Sequence, residues 1–207
     1  VNVLTLSNLT CRRNIAMTSL PAIARTTGLL LAAFTSMAAQ AQQQLILAQS
    51  EIGFVTKQMG VPVEGRFKKF DAQIAFDPAK PQTGKIAFTV DIASATLGSP
   101  EPDVELPKAE WFNTAKFPQA TFQSSNIKAL GVGKFEVAGK LAIKGASQDA
   151  VIPVTLSANG ATTLATGSFT LKRLAYKIGE KEWADTSMVA DDVQVKFKLA
   201  LTGVGKF

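Results

Sequence analysis

The chain has 207 residues, with 22 Lys and Arg against 16 Asp and Glu, a formal charge of +6, one Cys and no His. A lone Cys excludes an internal disulfide framework, and the lack of His removes the Ser-His-Asp triad and the imidazole-rich metal site. The positive excess is small and scattered, which argues against nucleic acid as a partner.

Arg12, Arg13 and Arg25 precede an apolar run from Gly28 to Phe34, and Ala39-Gln40-Ala41 follows. Positive charge, then an apolar run, then small residues is the order of a secretory signal peptide, cleaved between Ala41 and Gln42. The run is too short for a membrane span of about 20 residues. Met17 is the natural start of a signal of ordinary length, with residues 1–16 as an upstream extension. The surroundings of Arg12-Arg13 fit a twin-arginine signal poorly, and Cys11 lacks the preceding apolar run of a lipoprotein cysteine. Cleavage would remove three Arg and the Cys, leaving residues 42–207 at about +3 and of a size for one domain. The sequence therefore predicts an exported protein of the periplasm.

Beyond Gln42 a two-residue alternation of apolar and polar side chains predominates, the mark of strands with one buried face. Leu45 to Lys57 is the first expected strand, with Ile52 and Phe54 on one face. Val63 to Asp77 is the second; Val63, Gly65 and Phe67 share one parity and Phe70, Ala72, Ile74 and Phe76 the other, so a bulge at Lys68-Lys69 is expected. A turn over 78–84 leads to a third strand carrying Ile86, Phe88, Val90 and Ile92. Pro100, Pro102 and Pro107 then forbid a central strand, and Ala95–Phe117 reads as an apolar excursion folded over one end as a plug or lid, with one or two helical turns over Lys108–Ala115. Five more strands follow: Thr121–Ala129, Phe135–Lys144, Val151–Ala158 (Pro153 marking a bulge or frayed end), Thr163–Tyr176 and Asp192–Thr202. A second excursion spans Gly179–Asp191, where Trp183 and Asp185 anchor the loop. Short links between sequential strands favour an antiparallel meander. The expected fold is all-β, an eight-stranded antiparallel up-and-down barrel with one or two short helical loop excursions, preferred over a sandwich.

Several segments carry a family resemblance. Lys57-Gln58-Met59-Gly60-Val61 with Glu64-Gly65-Arg66-Phe67, Phe76-Asp77-Pro78, and Val90 through Ala95 resemble the opening of the YceI-like family. Trp111-Phe112-Asn113 through Phe117-Pro118-Gln119-Ala120-Thr121-Phe122 is similar to its most recognisable segment. Val137 to Gly145, Arg173 to Gly179 and Trp183-Ala184-Asp185 match later blocks, so the likeness covers nearly all of residues 44–202. The resemblance implies a lipocalin-like periplasmic barrel that holds a polyisoprenoid or other long-chain lipid, an isoprenoid quinone such as ubiquinone or its precursor. It also implies a possible inner-membrane b-type cytochrome partner and no enzymatic activity. A homodimer would be unsurprising. The chain departs from the family's pattern at Gln58, where many members carry His, and at Pro102-Asp103 and Glu105-Leu106, where many carry Arg-Asp and His-Leu. Those departures fall at loop positions and bear on head-group contacts more than on the tunnel.

The residues expected to line the tunnel are Phe54, Phe67, Phe70, Ile74, Phe88, Val90, Trp111, Phe112, Phe122, Phe135, Val137, Leu141, Phe169, Leu171, Val195 and Phe197. The same stripe would equally fill a solid barrel that works through its surface as a stress-related envelope interaction protein. Outward Lys134, Lys140, Lys196 and Lys198 would suit an anionic membrane or an acidic partner, although charged outer faces are ordinary. For catalysis only carboxylates remain, among Glu101, Asp103, Glu105 and Glu110, whose closeness in sequence does not make them face each other. No cofactor is expected beyond a bound lipid.

Overall fold

The structure, a computed structural model, describes residues 43–207; the expected signal segment and its Ala41–Gln42 cleavage site lie outside the described residues. The alternating segments form eleven strands: β1 (Gln44–Leu45), β2 (Glu51–Gln58), β3 (Val61–Phe67), β4 (Phe70–Ala75), β5 (Lys85–Asp91), β6 (Ala95–Thr96), β7 (Gln119–Gly131), β8 (Lys134–Ile143), β9 (Ala146–Asn159), β10 (Thr162–Lys172) and β11 (Asp192–Thr202). They make one sheet in the order β4-β5-β7-β8-β9-β10-β11-β2-β3-β6, with β1 paired to β11. Every ladder is antiparallel. This is the expected all-β meander, curled as in a lipocalin-like fold.

The expectation of a closed eight-stranded barrel is corrected. The hydrogen-bonded path is open and ends at β4 and β6. The expected second strand, Val63–Asp77, is broken at Lys68-Lys69 into β3 and β4, which sit toward opposite ends of that path. The break replaces the anticipated bulge because both corner residues are engaged elsewhere: Lys68 N–H donates to Ser94 O at 3.2 Å, and Lys69 O accepts from Asp91 N–H at 3.0 Å. A two-residue turn of chain therefore joins the sheet's two ends where a ladder was expected. The β9–β10 ladder also stops early, at Thr155 and Thr166, although β9 begins back at Ala146. Pro153, which has no N–H to give, lies two residues beyond that last pair.

Other boundaries shift for local reasons. The leading strand is divided by a 3₁₀ turn at Leu47–Gln49, whose end is tied by Ser50 Oγ donating to Ile46 O at 2.8 Å. β10 ends at Lys172 and not at Tyr176, because Arg173–Tyr176 forms a 3₁₀ turn with Lys177 at φ 58°. The helical turn of the first excursion, α1 (Pro100–Asp103), lies earlier than Lys108–Ala115, and its prolines occupy the first turn, where a missing N–H costs nothing. A register shift between Ser124 and Asn126 in β7 reverses the side-chain parity, and Ile127 ends up only 2% exposed.

Three inward phenylalanines lie against glycines of a neighbouring strand. A Cβ at Gly65 would strike the Phe54 ring, one at Gly139 the Phe122 ring, and one at Gly167 the Phe197 ring. Bare backbone at those points lets each ring lie along the wall instead of standing into the lumen.

Candidate functional site

Inside the curled sheet is a cavity of about 390 Å³. Of the forty residues on its wall, only Thr56, Gln58, Glu105, Arg173 and the two tryptophans Trp111 and Trp183 carry a side-chain nitrogen or oxygen. The centre is therefore hollow and oily. Fifteen of the sixteen residues named from the sequence stand on this wall: Phe54, Phe67, Ile74, Phe88, Val90, Trp111, Phe112, Phe122, Phe135, Val137, Leu141, Phe169, Leu171, Val195 and Phe197. Phe70 does not; it is buried in the surrounding core at the first position of β4, paired with Val90.

The sequence reading missed other wall residues for identifiable reasons. Thr56 and Gln58 share the parity of Ile52 and Phe54 on β2, so alternation alone would have placed them inward, but only apolar residues were counted. Ile127 was hidden by the β7 register shift. Ile178, Trp183 and Val189 lie between β10 and β11, the last two within the second excursion and Ile178 just before it, where no period exists to follow.

Polarity is confined to one end. Along β2 the inward side chains run Ile52, Phe54, Thr56, Gln58, from apolar to polar toward the β2–β3 turn. The two excursions gather at this end. Gln58 bridges to Val189, and Met59 N–H donates to Met188 O at 2.7 Å. The N–H groups of Gly179 and Glu180 both donate to Glu110 O, at 2.8 and 3.0 Å, tying one excursion to the other. Lys181 Nζ adds an ion pair with Glu110 at 2.7 Å, which holds that carboxyl below its ordinary range. Trp111 and Trp183 pack against each other across the same seam, ring centres 5.4 Å apart and planes tilted by 44°. Phe112 meets Phe67 edge-on at 6.4 Å.

Two buried cations organise this end. The Arg173 guanidinium is 2% exposed and donates to five backbone carbonyls: Ala190, Ile178, Gly179, Trp183 and Val189, at 3.0, 2.8, 2.9, 2.6 and 2.7 Å. All five of its N–H groups are thereby used. Burial pulls its pKa down, and Asp191 opposes the shift. Lys144, at φ 47° in the β8–β9 turn, is 6% exposed; its Nζ pairs with Glu180 at 2.9 Å and donates to the carbonyls of Lys177 and Glu110. The charges thus pin the excursions, and the Arg173 guanidinium, although part of the wall, has no N–H left to offer the lumen.

Three of the four carboxylates considered for catalysis have other employment. Asp103 accepts from Thr96 Oγ1 and Leu97 N–H, Glu105 pairs with Lys108 at 2.6 Å, and Glu110 pairs with Lys181. Among the described residues no group of three His, Cys, Asp or Glu side chains is placed to hold a metal.

The sequence and the fold have counterparts among known proteins. Residues 44–201 match the family described as YceI-like domain. The protein YceI of Salmonella arizonae is 38% identical over 94 residues, 45% of this chain and 47% of that protein. A UPF0312 protein of Photorhabdus laumondii is 32% identical over 133 residues, 64% of this chain and 69% of the relative. A UPF0312 protein of Azotobacter vinelandii is 33% identical over 96 residues, and the match spans about half the length of that relative, as it does for most of the curated relatives. Among solved structures, BcnA of Burkholderia cenocepacia superposes with a TM-score of 0.73 at 46% identity, over 76% of this chain and 99% of BcnA. A polyisoprenoid binding domain from Saccharophagus degradans, 17% identical, shares the fold with a TM-score of 0.61. The family match, over residues 44–201, spans nearly all the described strands and the cavity between them, and this chain belongs to the YceI-like family.

Proposed function

We propose that the protein is a periplasmic carrier that holds one polyisoprenoid chain, as an isoprenoid quinone such as ubiquinone or a precursor of one, within the apolar cavity. The observation that carries this reading is the cavity itself: about 390 Å³, walled almost wholly by hydrocarbon. That volume falls in the roughly 300–1,000 Å³ range of small-molecule sites. Each methylene transferred from water contributes about 0.8 kcal/mol, so a five-carbon isoprene unit contributes roughly 3–4 kcal/mol before entropy is counted. Such a wall needs no specific donors for the chain. A solid barrel acting only through its surface would have no use for rings held flat on glycines around a hollow.

In this reading residues 1–41 direct export, residues 42–207 are the carrier, and the fifteen wall residues named from the sequence touch the chain. A b-type cytochrome of the inner membrane is the partner the family resemblance suggests, and a homodimer is compatible with it; cross-linking in intact cells tests both. The central experiment is organic extraction and mass spectrometry of protein purified from its native periplasm. A stoichiometric long-chain isoprenoid is the expected result. Protein that is repeatedly free of any long-chain lipid would refute the proposal.

A further inference from the structure

Three large apolar side chains stand in water beside the polar end of the cavity: Met59, Val61 and Met188, at 74%, 64% and 42% exposed. They form one patch. Val61 pairs with Gln58 across the β2–β3 turn, and Met59 N–H donates to Met188 O at 2.7 Å. Just inside the patch are Gln58 and Val189, joined by a bridge and both on the cavity wall. Gln58 is itself exposed, so the wall reaches solvent at this point. The chain here carries no charge from Gln58 to Val63 or from Thr186 to Ala190.

Met59 is unfavourable on two counts. With Gly60 it makes the centre of a two-residue turn, at φ 50° and 81°. Positive φ at both centres is the type I′ geometry, which favours Asn or Asp before the Gly. A long apolar side chain on a left-handed backbone, extended into water, gains nothing within the protein. An uncharged apolar patch of this kind marks a surface that meets something else.

The sheet edge narrows what that is. β6 covers β3 only at Arg66 and Phe67, so the edge from Val61 to Gly65 is open. Val61 closes the turn against Gln58, which leaves Pro62 at the position whose N–H would face that edge, and Pro has none to give. An added polypeptide strand is therefore poorly served. Flexible Met side chains suit a fluid apolar medium instead. Cargo that is nearly insoluble in water also needs a short path between cavity and bilayer, and the patch borders the point where wall meets solvent.

We propose that Met59, Val61 and Met188 form a membrane-docking surface, which seats this end of the cavity on a phospholipid bilayer so that cargo passes between the two without crossing water. This rests on the carrier reading and names the partner of the same site.

The test uses the exported protein, sucrose-loaded vesicles of phosphatidylethanolamine and phosphatidylglycerol, and geranylgeranyl anthranilate as a fluorescent isoprenoid preloaded into the cavity. The wild type should sediment with the vesicles, and its transfer rate should rise in proportion to vesicle concentration, as transfer by contact requires. Met59→Asn, Val61→Thr and Met188→Gln should each weaken vesicle binding about three- to tenfold. The triple variant should transfer at a rate independent of vesicle concentration, set by release of the probe into water. Met59→Asn should hold or raise the melting temperature, because Asn suits the turn, and this separates lost docking from lost fold. Val132→Thr removes a side chain 88% exposed on the β7–β8 turn, the whole length of β8 away from Lys144 and the excursions, and should change nothing. Unchanged binding and transfer in the triple variant, equal weakening by Val132→Thr, or a wild-type dimer that the triple variant breaks apart overturns the docking surface and spares the carrier reading. A wild type that takes up no isoprenoid overturns both.

Discussion

Replacing Arg173 by Met removes the guanidinium that gathers the second excursion while keeping an unbranched apolar stem. Five hydrogen bonds from a charged donor, at 2.6–3.0 Å, are lost. Such bonds are each worth about 1.5–3 kcal/mol, so the gross loss is roughly 7–15 kcal/mol. Most of this is returned, because the guanidinium no longer has to be stripped of water and water can reach the freed carbonyls of the more exposed loop residues. A net loss of about 3–5 kcal/mol remains, a large share of the 5–15 kcal/mol that holds a typical domain together. Arg173→Lys should recover little, because an ammonium has three donors and cannot fan across five carbonyls. Urea denaturation followed by tryptophan fluorescence is a suitable assay, since both tryptophans of the chain, Trp111 and Trp183, pack together at this seam. Hydrogen exchange at 178–190 should report local opening before global unfolding. A loss under about 1 kcal/mol with unchanged exchange there would refute the claim that this cation holds the excursion in place.

Three other outcomes are expected. Gly167→Ala places a methyl against the Phe197 ring and Pro153 O, and should cost about 1–3 kcal/mol while driving the ring into the lumen; thermal melts and a drop in co-purified lipid check it, and a neutral effect on both would contradict the role given to the glycine. Phe88→Trp, which overfills the wall, and Phe197→Glu, which charges it, should each abolish lipid co-purification; a variant that keeps its full lipid load takes that residue off the wall. Asp103 is held below its ordinary value of 3.8, first by the Thr96 hydroxyl and then by Leu97 N–H. A carboxyl with a depressed folded value contributes stability above its unfolded value, and loses it as pH falls through the folded value, so the Thr96–Asp103 turn should loosen below about pH 4. Acid titration of the Leu97 amide resonance should show this in the wild type and not in Asp103→Asn; identical profiles would count against it.

What could be read from the sequence was whatever repeats. Phe135, Val137, Leu141 and Ile143 on β8, and Val193 through Leu201 on β11, alternate without interruption, and each set lines the cavity. Strand existence, antiparallel order and thirteen of the fifteen wall side chains follow from that period of two, since a strand must turn alternate residues to opposite faces; Trp111 and Phe112 lie in the first excursion, outside any strand. The period fails wherever a single residue breaks step. The shift at Ser124/Asn126 that turns Ile127 inward has no signature in composition. At Lys68-Lys69 the parity change was visible, but whether it meant a bulge or two strands depended on Ser94 and Asp91, distant in sequence and adjacent in space.

Sequence by itself determined that a sheet with one oily face must form and curl, because alternation dictates which side chains leave water together. Only the tertiary structure decided that the oily face encloses a hollow. Cavity volume depends on how rings lie across neighbouring strands, and glycines 65, 139 and 167 became seats for phenylalanines only once register brought them side by side. The polar end is likewise a tertiary product. Arg173, Lys144, Gln58 and Trp111 lie far apart along the chain, and their meeting follows from which loops the sheet's curvature carries to one rim.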